Sequence, residues 1–370
     1  LGALTSNYRQ IAEAVGRERE TDGGQAPGII AVVKANAYGH GAVQVARALE
    51  DAGADLVACA DIEEGAALRA AGVRAEILVF GALSVSDLDG LFDGRLTPTI
   101  STPGAARAVQ AAAARYRQRI RYHLKIDTGM NRLGFRFDNL RRTLPDLLAS
   151  DHLELDAVYT HFATADEPGH RLFDTQRTRF AAVAKTLDEL GAGPRLCHAA
   201  NSAALLRDSR VWFDFVRPGL LLYGLVPPPL GTTLALQPVM SLTSRVVAVK
   251  GVRAGESVGY GGRFTAERPT TLAVIPAGYA DGLDKRLEGH GFVLTRGRRA
   301  PIVGAVSMDM LTADVTEIEG VSPGDEVVFL GSQGREPQQT IDAREMAAWI
   351  GTIPYEIVCR LGARVERKYD

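Results

Sequence analysis

The sequence has few cysteines, and the three that it has stand far apart. Cys59, Cys197 and Cys359 form no C-x-x-C pair in a chain of 370 residues. This spacing argues against a disulfide framework and a cysteine zinc site, so we expect three buried, reduced thiols. The seven histidines form neither an H-x-H nor an H-E-x-x-H pattern, which argues against a metallohydrolase.

An excess of charge of either sign is also missing. Lys and Arg number 42 against 44 Asp and Glu, a net charge of -2, which gives no electrostatic argument for binding nucleic acid or an anionic membrane. No apolar stretch is long enough to span a membrane, and no signal peptide is visible. We therefore expect a cytoplasmic protein, although the chain does not begin with Met and a removed leader stays open.

Eight short apolar runs alternate with helix-length intervals in the first 225 or so residues. The predicted strands are Gly28–Ala35, Leu56–Ala60, Ala75–Phe80, Thr97–Ser101, Arg121–Asp127, Leu155–Phe162, Leu196–Ala200 and Phe215–Leu222. This alternation predicts a (β/α)8 barrel, with an open doubly wound sheet as the alternative. Unusual polar residues follow several of the runs, and in a barrel they would meet at the C-terminal mouth, where barrel enzymes have their active sites.

The pattern changes near residue 226. Val226-Pro-Pro-Pro-Leu-Gly231 is typical of a linker, because consecutive prolines continue neither a helix nor a central strand. Short apolar runs then follow at hairpin-like intervals: Leu242–Val249, Thr271–Ile275, Phe292–Thr295, Pro301–Val306 and Glu326–Leu330. Asp342-Ala-Arg-Glu345 has the spacing of a capping box and predicts one late helix. We predict an α/β chain with a TIM-like barrel at residues 1–228 and a mainly β domain at residues 229–370.

Lys34 is the first residue in these runs whose side chain could take part in a reaction. It ends the apolar run Gly28-Ile-Ile-Ala-Val-Val-Lys34, in which it is the only charge. A strand buried on both faces would deliver this amine to the edge of the sheet. A desolvated lysine can form an imine with a carbonyl compound, whereas a snorkelling lysine would only cover the strand end.

Two further segments have the features of a phosphate site. His198-Ala-Ala-Asn201-Ser202 brings a hydroxyl among small residues to the seventh strand, and Arg217-Pro-Gly219 brings an arginine and a glycine to the eighth. The loops after these strands bind phosphate in many barrels, although a serine at a helix start is often only an N-cap. Together with Lys34, these segments indicate a phosphorylated carbonyl cofactor bound through an imine, which describes pyridoxal phosphate.

Motifs along the whole chain resemble those of the bacterial alanine racemases, which are fold-type III pyridoxal phosphate enzymes. The motifs are Ala31-Val-Val-Lys34-Ala-Asn-Ala-Tyr38-Gly-His-Gly41, His123-Leu-Lys125-Ile-Asp-Thr-Gly-Met-Asn-Arg132-Leu-Gly, Thr160-His161-Phe-Ala, Ala199-Ala-Asn-Ser202, Val216-Arg217-Pro-Gly219, Val258-Gly-Tyr260-Gly, Gly278-Tyr279-Ala-Asp-Gly282, Val306-Ser-Met308-Asp309-Met310 and Ile353-Pro-Tyr355-Glu356. The resemblance implies an isomerase that interconverts L-alanine and D-alanine with pyridoxal 5'-phosphate and supplies D-alanine for cell-wall peptidoglycan.

The same resemblance implies an architecture and an assembly. The family has an N-terminal barrel and a C-terminal β domain, in agreement with the two domains predicted from the residues. It forms homodimers whose active sites are shared between subunits. The resemblance starts a little inside the family's usual beginning, so we expect a short N-terminal strand to precede this sequence.

Position by position, the resemblance implies two bases on opposite faces of the substrate. Lys34 binds the cofactor and acts on one face, and Tyr260 of the partner subunit acts on the other. A racemase needs both, because the proton leaves Cα on one side and returns on the other. Free tyrosine has a pKa of about 10, so a cation must stabilise the phenolate, and His161 with Arg217 resembles that source. Arg217 also corresponds to the residue that faces the pyridine nitrogen and disfavours transamination.

The remaining site residues also come from the resemblance. It assigns cofactor binding to Tyr38, Arg132, His161, Asn201, Ser202, Arg217, Gly219, Leu220 and Tyr355, substrate binding to Arg132 and Met308, and the path of substrate access to Tyr279. Lys125 corresponds to a lysine that carbon dioxide converts to a carbamate, an anion able to hold Arg132. From the residues alone, Lys125 would instead form an ion pair with Asp127 or another carboxylate, since the two share one side of the strand.

Two other functions compete with the racemase. A non-catalytic pyridoxal phosphate carrier needs only a barrel and leaves the β domain unexplained. A fold-type III decarboxylase needs a reactive cysteine in a motif near the end of the β domain, whereas Cys359 lies in the apolar run Ile357-Val-Cys-Arg. The glycine-rich run at residues 259–262 lacks the context of a nucleotide-binding loop and predicts a surface hairpin. The choice between alanine and serine as substrates stays open.

Overall fold

The computed structural model describes residues 1–21, 25–81, 83 and 87–370, and these form two compact units. The first unit comprises Leu1–Ala37 and Gly41–Gln237, and the second comprises Tyr38–His40 and Pro238–Asp370. None of the helices in the described ranges is both long enough and apolar enough to cross a bilayer.

Eight parallel strands form a closed barrel in the first unit, as the alternating apolar runs predict. They are β1 (Gly28–Val32), β2 (Leu56–Cys59), β3 (Glu76–Val79), β4 (Thr97–Ile100), β5 (Ile120–Asp127), β7 (Leu153–Tyr159), β8 (Leu196–Asn201) and β9 (Phe215–Arg217), while the short β6 (Phe135–Arg136) pairs with β5. Parallel pairing of β1 with β9 and of β4 with β5 completes the circle. The predicted (β/α)8 barrel is therefore confirmed, and the open sheet is excluded.

Helices and turns connect these strands. They are α1 (Gly2–Thr21), α2 (Lys34–Tyr38), α3 (Ala42–Asp51), α4 (Ile62–Ala70), α5 (Asp89–Asp93), α6 (Pro103–Tyr116), α7 (Leu140–Thr143), α8 (Pro145–Leu148), α9 (Arg171–Glu189), α10 (Ser202–Arg207) and the 3-10 turns Ser209–Val211 and Leu220–Tyr223. The alanine-rich α6 begins sharply because the Thr102 hydroxyl accepts a hydrogen bond from Ala105 N at 3.1 Å and Pro103 supplies a preset φ.

Three barrel strands, β1, β7 and β9, end at least three residues before their predicted ends, and β7 ends at Tyr159 rather than Phe162. β1 ends at Val32 rather than Ala35, because Lys34 begins a turn. The run that was predicted as a strand to Leu222 leaves the sheet at Arg217, since Pro218 has no N–H to donate to the ladder. Gly219 consequently lies after the last strand, at the start of the 3-10 turn Leu220–Tyr223.

The second unit is mainly antiparallel β structure, as predicted. Its strands are β10 (Leu242–Arg245), β11 (Ala248–Val252), β12 (Ser257–Val258), β13 (Phe264–Thr265), β14 (Thr270–Ile275), β15 (Phe292–Thr295), β16 (Arg298–Val303), β17 (Leu311–Asp314), β18 (Glu326–Gln333) and β19 (Gln339–Ile341). Its helices are α11 (Ala343–Trp349), α12 (Pro354–Cys359) and the 3-10 turns Tyr260–Gly262, Tyr279–Asp281 and Lys285–Leu287. The predicted run Leu242–Val249 is two strands, because the chain changes partner from β18 to β14.

Two local predictions need correction. Asp342 does cap α11 by accepting from Glu345 N at 2.8 Å, but the Glu345 carboxylate accepts from Arg299 Nη1 at 2.5 Å instead of completing a capping box. Of the three thiols expected to be buried, only Cys59 is, and its burial raises its pKa to about 12. Cys359 is exposed, because it ends the short α12 at the surface.

Candidate active site

Lys34 lies just beyond the carboxyl end of β1 and begins a left-handed helical turn. Residues 35–38 all have φ between 52° and 54°, a conformation that costs non-glycine residues roughly 1–2 kcal/mol each. Glu64, near the start of α4, stabilises this turn because its Oε1 accepts from Ala35 N at 2.7 Å. Its Oε2 accepts from Ala60 N, just after β2, at 2.8 Å, which fixes the carboxylate in place. Lys34 is exposed in the single chain, two residues beyond the end of β1.

Asn36 fixes the other end of this turn. Its Oδ1 accepts from Ala42 N at 2.8 Å, and its carbonyl accepts from Gly41 N at 2.9 Å. These two bonds join the turn to the first residues of α3. Glu64 on one side and Asn36 on the other therefore hold the backbone that presents the Lys34 amine.

Glu64 is absent from the predicted site residues, although a signal for it exists. Asp61-Ile-Glu-Glu64 has the spacing of a capping box, and Asp61 Oδ1 indeed accepts from Glu64 N at 2.8 Å. In a complete box the glutamate would turn back to its own helix. Here its carboxylate reaches the turn that follows the neighbouring strand, a contact that only the barrel creates.

Arg217 is buried at the end of β9 with most of its donors in use. Nη1 donates to His198 Nδ1 at 2.9 Å, and Nη2 donates to the carbonyls of Thr160 and Ala199, each at 2.9 Å. His161 Nδ1 lies 3.4 Å from the same Nη2. A guanidinium has five N–H bonds, so among the described residues one on Nη1 and the one on Nε remain for another acceptor, such as a pyridine nitrogen.

Burial decides which member of this group carries charge. It lowers the pKa of His161 well below the ordinary value, and the neighbouring cations Lys125 and Arg217 lower it further. Burial also lowers the pKa of Arg217, to about 10, which leaves its guanidinium charged at neutral pH. Within this pair Arg217 therefore carries the charge, and His161 is its neutral neighbour.

Lys125 is buried in β5, and its Nζ lies 4.7 Å from the centre of the Tyr159 ring. Burial, with Arg217 and Arg132 as further causes, lowers the pKa of this amine to about 7. Lys34 also contributes to this shift, as it does for His161, so its charge is felt within the same group. At neutral pH a large fraction of Lys125 is thus a neutral amine.

The ion pair between Lys125 and Asp127 that the residues alone predict is not formed. No carboxylate in the described part of the chain lies within 4.0 Å of the Lys125 amine. Asp127 Oδ1 instead accepts from Gly129 N at 2.9 Å and from Asn131 N at 3.1 Å. These bonds shape the loop that leads to Arg132, whose side chain is exposed.

The ends of β8 and β9 provide a set of hydrogen-bonding groups suited to phosphate. The Ser202 hydroxyl accepts from Gly219 N at 2.9 Å, with Leu221 N at 3.5 Å. Asn201 caps α10 by accepting from Ala204 N at 2.9 Å, so its side chain has a structural use of its own. The Ser202 hydroxyl still has its own O–H to donate, and it lies beside the backbone of residues 219–221, including Leu220, so an anion would fit here.

The other predicted residues belong to the second unit. Tyr38 and Tyr355 lie side by side with ring centres 5.9 Å apart, and burial raises the pKa of Tyr38. Tyr260 lies in the turn between β12 and β13, which form the predicted hairpin, and its side chain is 78% exposed. Tyr279 and Met308 are also exposed.

Arg364 was not predicted but organises the loops that carry Tyr279 and Met308. Its Nε donates to Asp281 Oδ1 at 2.6 Å, and its Nη1 donates to Asp309 Oδ1 at 2.7 Å. Arg364 is 83 residues from Asp281 and 55 residues from Asp309 along the chain, so no local motif indicates this role.

The family models that match this chain, and the relatives described here, are all of alanine racemases. The model of the alanine racemase N-terminal domain matches residues 1–227, and that of the C-terminal domain matches residues 239–369. The alanine racemase of Carboxydothermus hydrogenoformans is 44% identical over 368 residues, which cover 99% of this chain and 96% of that protein. The alanine racemase of Geobacter sulfurreducens is 40% identical, with 100% and 95% covered.

Solved structures agree with these sequence matches. Alanine racemase from Streptomyces coelicolor A3(2) superimposes with a TM-score of 0.91 at 34% identity, covering 99% of this chain and 95% of that one. Alanine racemase from the D-cycloserine producer Streptomyces lavendulae gives a TM-score of 0.91 at 36% identity, with 98% and 94% covered.

Proposed function

This chain belongs to the alanine racemase family, and from that premise we propose that Lys34 and Tyr260 are the two bases of its reaction. The enzyme is a pyridoxal phosphate-dependent isomerase that interconverts L-alanine and D-alanine, and the D-alanine is a component of peptidoglycan. The observation that carries the proposed site is the group at the ends of β1, β5, β8 and β9. There Lys34 begins a turn held by Glu64 beyond β1, β1 pairs with β9, and the buried Arg217 ends β9.

The barrel residues fit the cofactor. Pyridoxal phosphate supplies an electron-withdrawing ring that stabilises the carbanion left when Cα loses its proton. We assign its carbonyl to the Lys34 amine, its phosphate to the Ser202 hydroxyl and the N–H groups at Gly219 and Leu220, and its pyridine nitrogen to the remaining N–H bonds of Arg217. From the resemblance alone, we further assign cofactor contacts to Tyr38, Arg132, His161, Asn201 and Tyr355.

In this proposal Arg217 would favour racemisation over transamination. Its pKa of about 10 keeps the guanidinium charged at neutral pH, so it would hold a pyridine nitrogen by a hydrogen bond without giving up the proton. A pyridine that stays unprotonated withdraws electrons less strongly. The proton would then return to Cα, and whether Lys34 or Tyr260 returns it would decide the configuration.

We infer a homodimer in which each active site takes residues from both chains. Tyr260 and Met308 are large apolar side chains that are 78% and 52% exposed, which is typical of surfaces that meet a partner. In this arrangement Tyr260 of the partner subunit is the second base, Met308 of the partner subunit contacts the substrate carboxylate with Arg132, and Tyr279 narrows the access path. Catalysis in the cytoplasm is proposed from the sequence features described above and from the resemblance.

Subunit exchange tests the shared site. Lys34→Ala and Tyr260→Phe chains, each expected to be inactive alone, are mixed in equal amounts under conditions of proven exchange. Half of the dimers become hybrids and each hybrid has one intact site, so activity should rise to about a quarter of the wild-type value. If each site used one chain only, no hybrid would contain an intact site.

The reciprocal mixture is the control. A chain carrying both substitutions is exchanged with wild-type chains, and shared sites predict that every hybrid is inactive. Activity should then fall to about half of its value before exchange. Unchanged activity in this mixture, or no recovery in the first one, would contradict the shared site.

We further propose that Lys125 is carbamylated and orients Arg132. Its pKa of about 7 provides the neutral amine to which carbon dioxide adds, and the resulting anion can accept charge-assisted hydrogen bonds from an arginine. Lys125→Ala should lower activity by about tenfold or more, as expected for the loss of one such bond. Small carboxylates such as acetate, added at constant ionic strength, should restore part of it.

The carbamate can also be observed directly. Protein in 13C-bicarbonate should show a carbamate carbon signal that is absent from the Lys125→Ala variant and present in Lys185→Ala, a substitution at an exposed lysine of α9. A bare ammonium at position 125 in bicarbonate buffer, together with no rescue by carboxylates, would show that the amine itself is the working form.

A further inference from the structure

A line of polar side chains runs from Arg217 through the interior of the barrel to its surface. Arg217 Nη1 is 2.9 Å from His198 Nδ1, and His198 Nε2 is 3.0 Å from His123 Nδ1. His123 Nε2 lies 3.9 Å from Asp156 Oδ2, and Arg195 Nε donates to Asp156 Oδ1 at 2.7 Å. Asp156 and both histidines are less than 5% exposed, whereas the Arg195 side chain is 61% exposed.

The proton positions along this line follow from its first member. Arginine only donates, so His198 Nδ1 must offer its lone pair. Burial lowers the pKa of His198 well below the ordinary value, so the ring is neutral and carries its proton on Nε2. That proton is donated to His123 Nδ1 at 3.0 Å. Burial lowers the pKa of His123 to about 4, so it too is neutral, and its own proton is on Nε2, directed at Asp156.

Asp156 is a suitable end for such a line. Burial disfavours its charged form, but the hydrogen bonds from Arg195 overcome this and hold the pKa of the carboxyl below its usual value. At 3.9 Å the His123 N–H and the carboxylate interact as a dipole and a charge rather than through a direct hydrogen bond.

Tyr159 holds the orientation of His198. Its ring stacks on the His198 imidazole with centres 4.6 Å apart, which keeps the imidazole in the plane that its two hydrogen bonds require.

The same residues do not make a convincing metal site. Ligand atoms of Glu76, His123 and Asp156 lie within 4.8 Å of one another. However, the proton order places a hydrogen on His123 Nε2, the atom that would bind the ion. Arg195 Nε donates a hydrogen bond to Asp156 Oδ1, and the Thr97 hydroxyl donates to Glu76 Oε1 at 2.7 Å. Both carboxylates therefore already accept hydrogen bonds.

We propose that Asp156 is a positioning residue for Arg217 and acts through the fixed proton order of His123 and His198. The inference rests on the proposed contact of Arg217 with the pyridine nitrogen. The charge of the carboxylate favours a proton on the facing Nε2 of His123, and the hydrogen bonds from His123 to Arg217 polarise one another, so the carboxylate strengthens the lone pair that His198 offers to Arg217. With the opposite proton order, an N–H of His198 would face an N–H of Arg217, and the guanidinium would lose this anchor.

The proton order is tested first on wild-type protein without cofactor, labelled with 15N at histidine. Both His123 and His198, assigned through single His→Gln variants, should show a protonated Nε2 and an unprotonated Nδ1. Asp156→Asn should convert this single form into a mixture, whereas Glu154→Gln should not. Glu154 is the matched control, a carboxylate two positions earlier on β7 that is half-exposed and lies 3.7 Å from Arg119. A proton on Nδ1 of either ring in the wild type would overturn the proposal, and this result does not depend on how Asp156→Asn folds.

The consequence for the reaction is tested on the loaded enzyme. The number of transamination events per racemisation turnover should rise about tenfold in Asp156→Asn, the equivalent of one weakened buried hydrogen bond, with the KM for alanine little changed. Asp156→Glu should recover most of the difference, and Glu154→Gln should show none. An unchanged ratio in Asp156→Asn would overturn the proposal.

A reference variant separates this outcome from a failure of the site assignment. Arg217→Lys should raise the transamination ratio more than Asp156→Asn if Arg217 faces the pyridine nitrogen. If Arg217→Lys leaves the ratio unchanged while the histidine spectra are as expected, the assignment of Arg217 is wrong, and the positioning role falls with it. If Arg217→Lys raises the ratio and Asp156→Asn does not, only the positioning role is refuted.

Discussion

The Lys34→Ala protein is expected to lose racemase activity by at least about 10⁴-fold, since one side chain provides both the covalent attachment of the cofactor and one of the two bases. The fold should survive, because Glu64 and Asn36 hold the turn through backbone groups that the substitution leaves in place. Activity is measured by chiral analysis of L-alanine incubated with the protein and added cofactor, with circular dichroism as the check of the fold.

Borohydride reduction locates the attachment. Wild-type protein should retain a reduced cofactor on the peptide that contains Lys34, and the variant should lose the absorbance of the bound cofactor. Lys185→Ala, at an exposed lysine of α9 in the same unit, should behave as the wild type. A borohydride-stable adduct elsewhere in the Lys34→Ala chain would refute the assignment of this residue.

Tyr260→Phe is expected to lower racemisation by about 10²–10⁴-fold, the contribution typical of a positioned acid–base group. The loss should be one-sided, because Lys34 still removes and returns the Cα proton on its own face of the substrate. In D₂O, the variant should therefore exchange the Cα hydrogen of one enantiomer of alanine while leaving its configuration unchanged. Proton NMR follows the exchange, and chiral chromatography follows the configuration.

The control for this variant is the same change, tyrosine to phenylalanine, at a position outside the proposed site. Tyr116→Phe removes a hydroxyl from a ring that stacks on Phe92 in the barrel, with centres 4.4 Å apart, and should leave both rates intact. Equal exchange of both enantiomers by Tyr260→Phe would show that another group acts as the second base. Racemisation at the wild-type rate would remove Tyr260 from the mechanism.

The barrel could be predicted because its strands have a strong local signal. A parallel strand covered on both faces must be apolar along its length, and eight such runs at helix-length spacing have few other arrangements. Ile30, Leu56 and Leu78, one from each of three predicted strands, do pack together in the core. The change of pattern near residue 226 is equally local, since consecutive prolines exclude helix and central strand.

The position of Lys34 was predictable, but its backbone was not. Alanine, asparagine and tyrosine have no strong local preference for four consecutive residues with φ near +53°, and the cost is met by Glu64 from the next βα unit. Likewise, the alternation of β5 places Lys125 and Asp127 on one side, yet Asp127 is taken by the loop N–H groups that follow it. Asp127 therefore bonds to these N–H groups rather than to Lys125.

The sequence by itself determined where the strands lie and which reactive side chains stand at their ends, because burial pattern and chain spacing are properties of neighbouring residues. Only the tertiary structure decided which of these side chains are charged and which of them are in contact. His123 and His198 come from β5 and β8, with β7 between them, and they meet only inside the closed barrel. Their neutrality and the charge on Arg217 follow from desolvation in that interior, which depends on the surroundings of each group and not on its position along the chain.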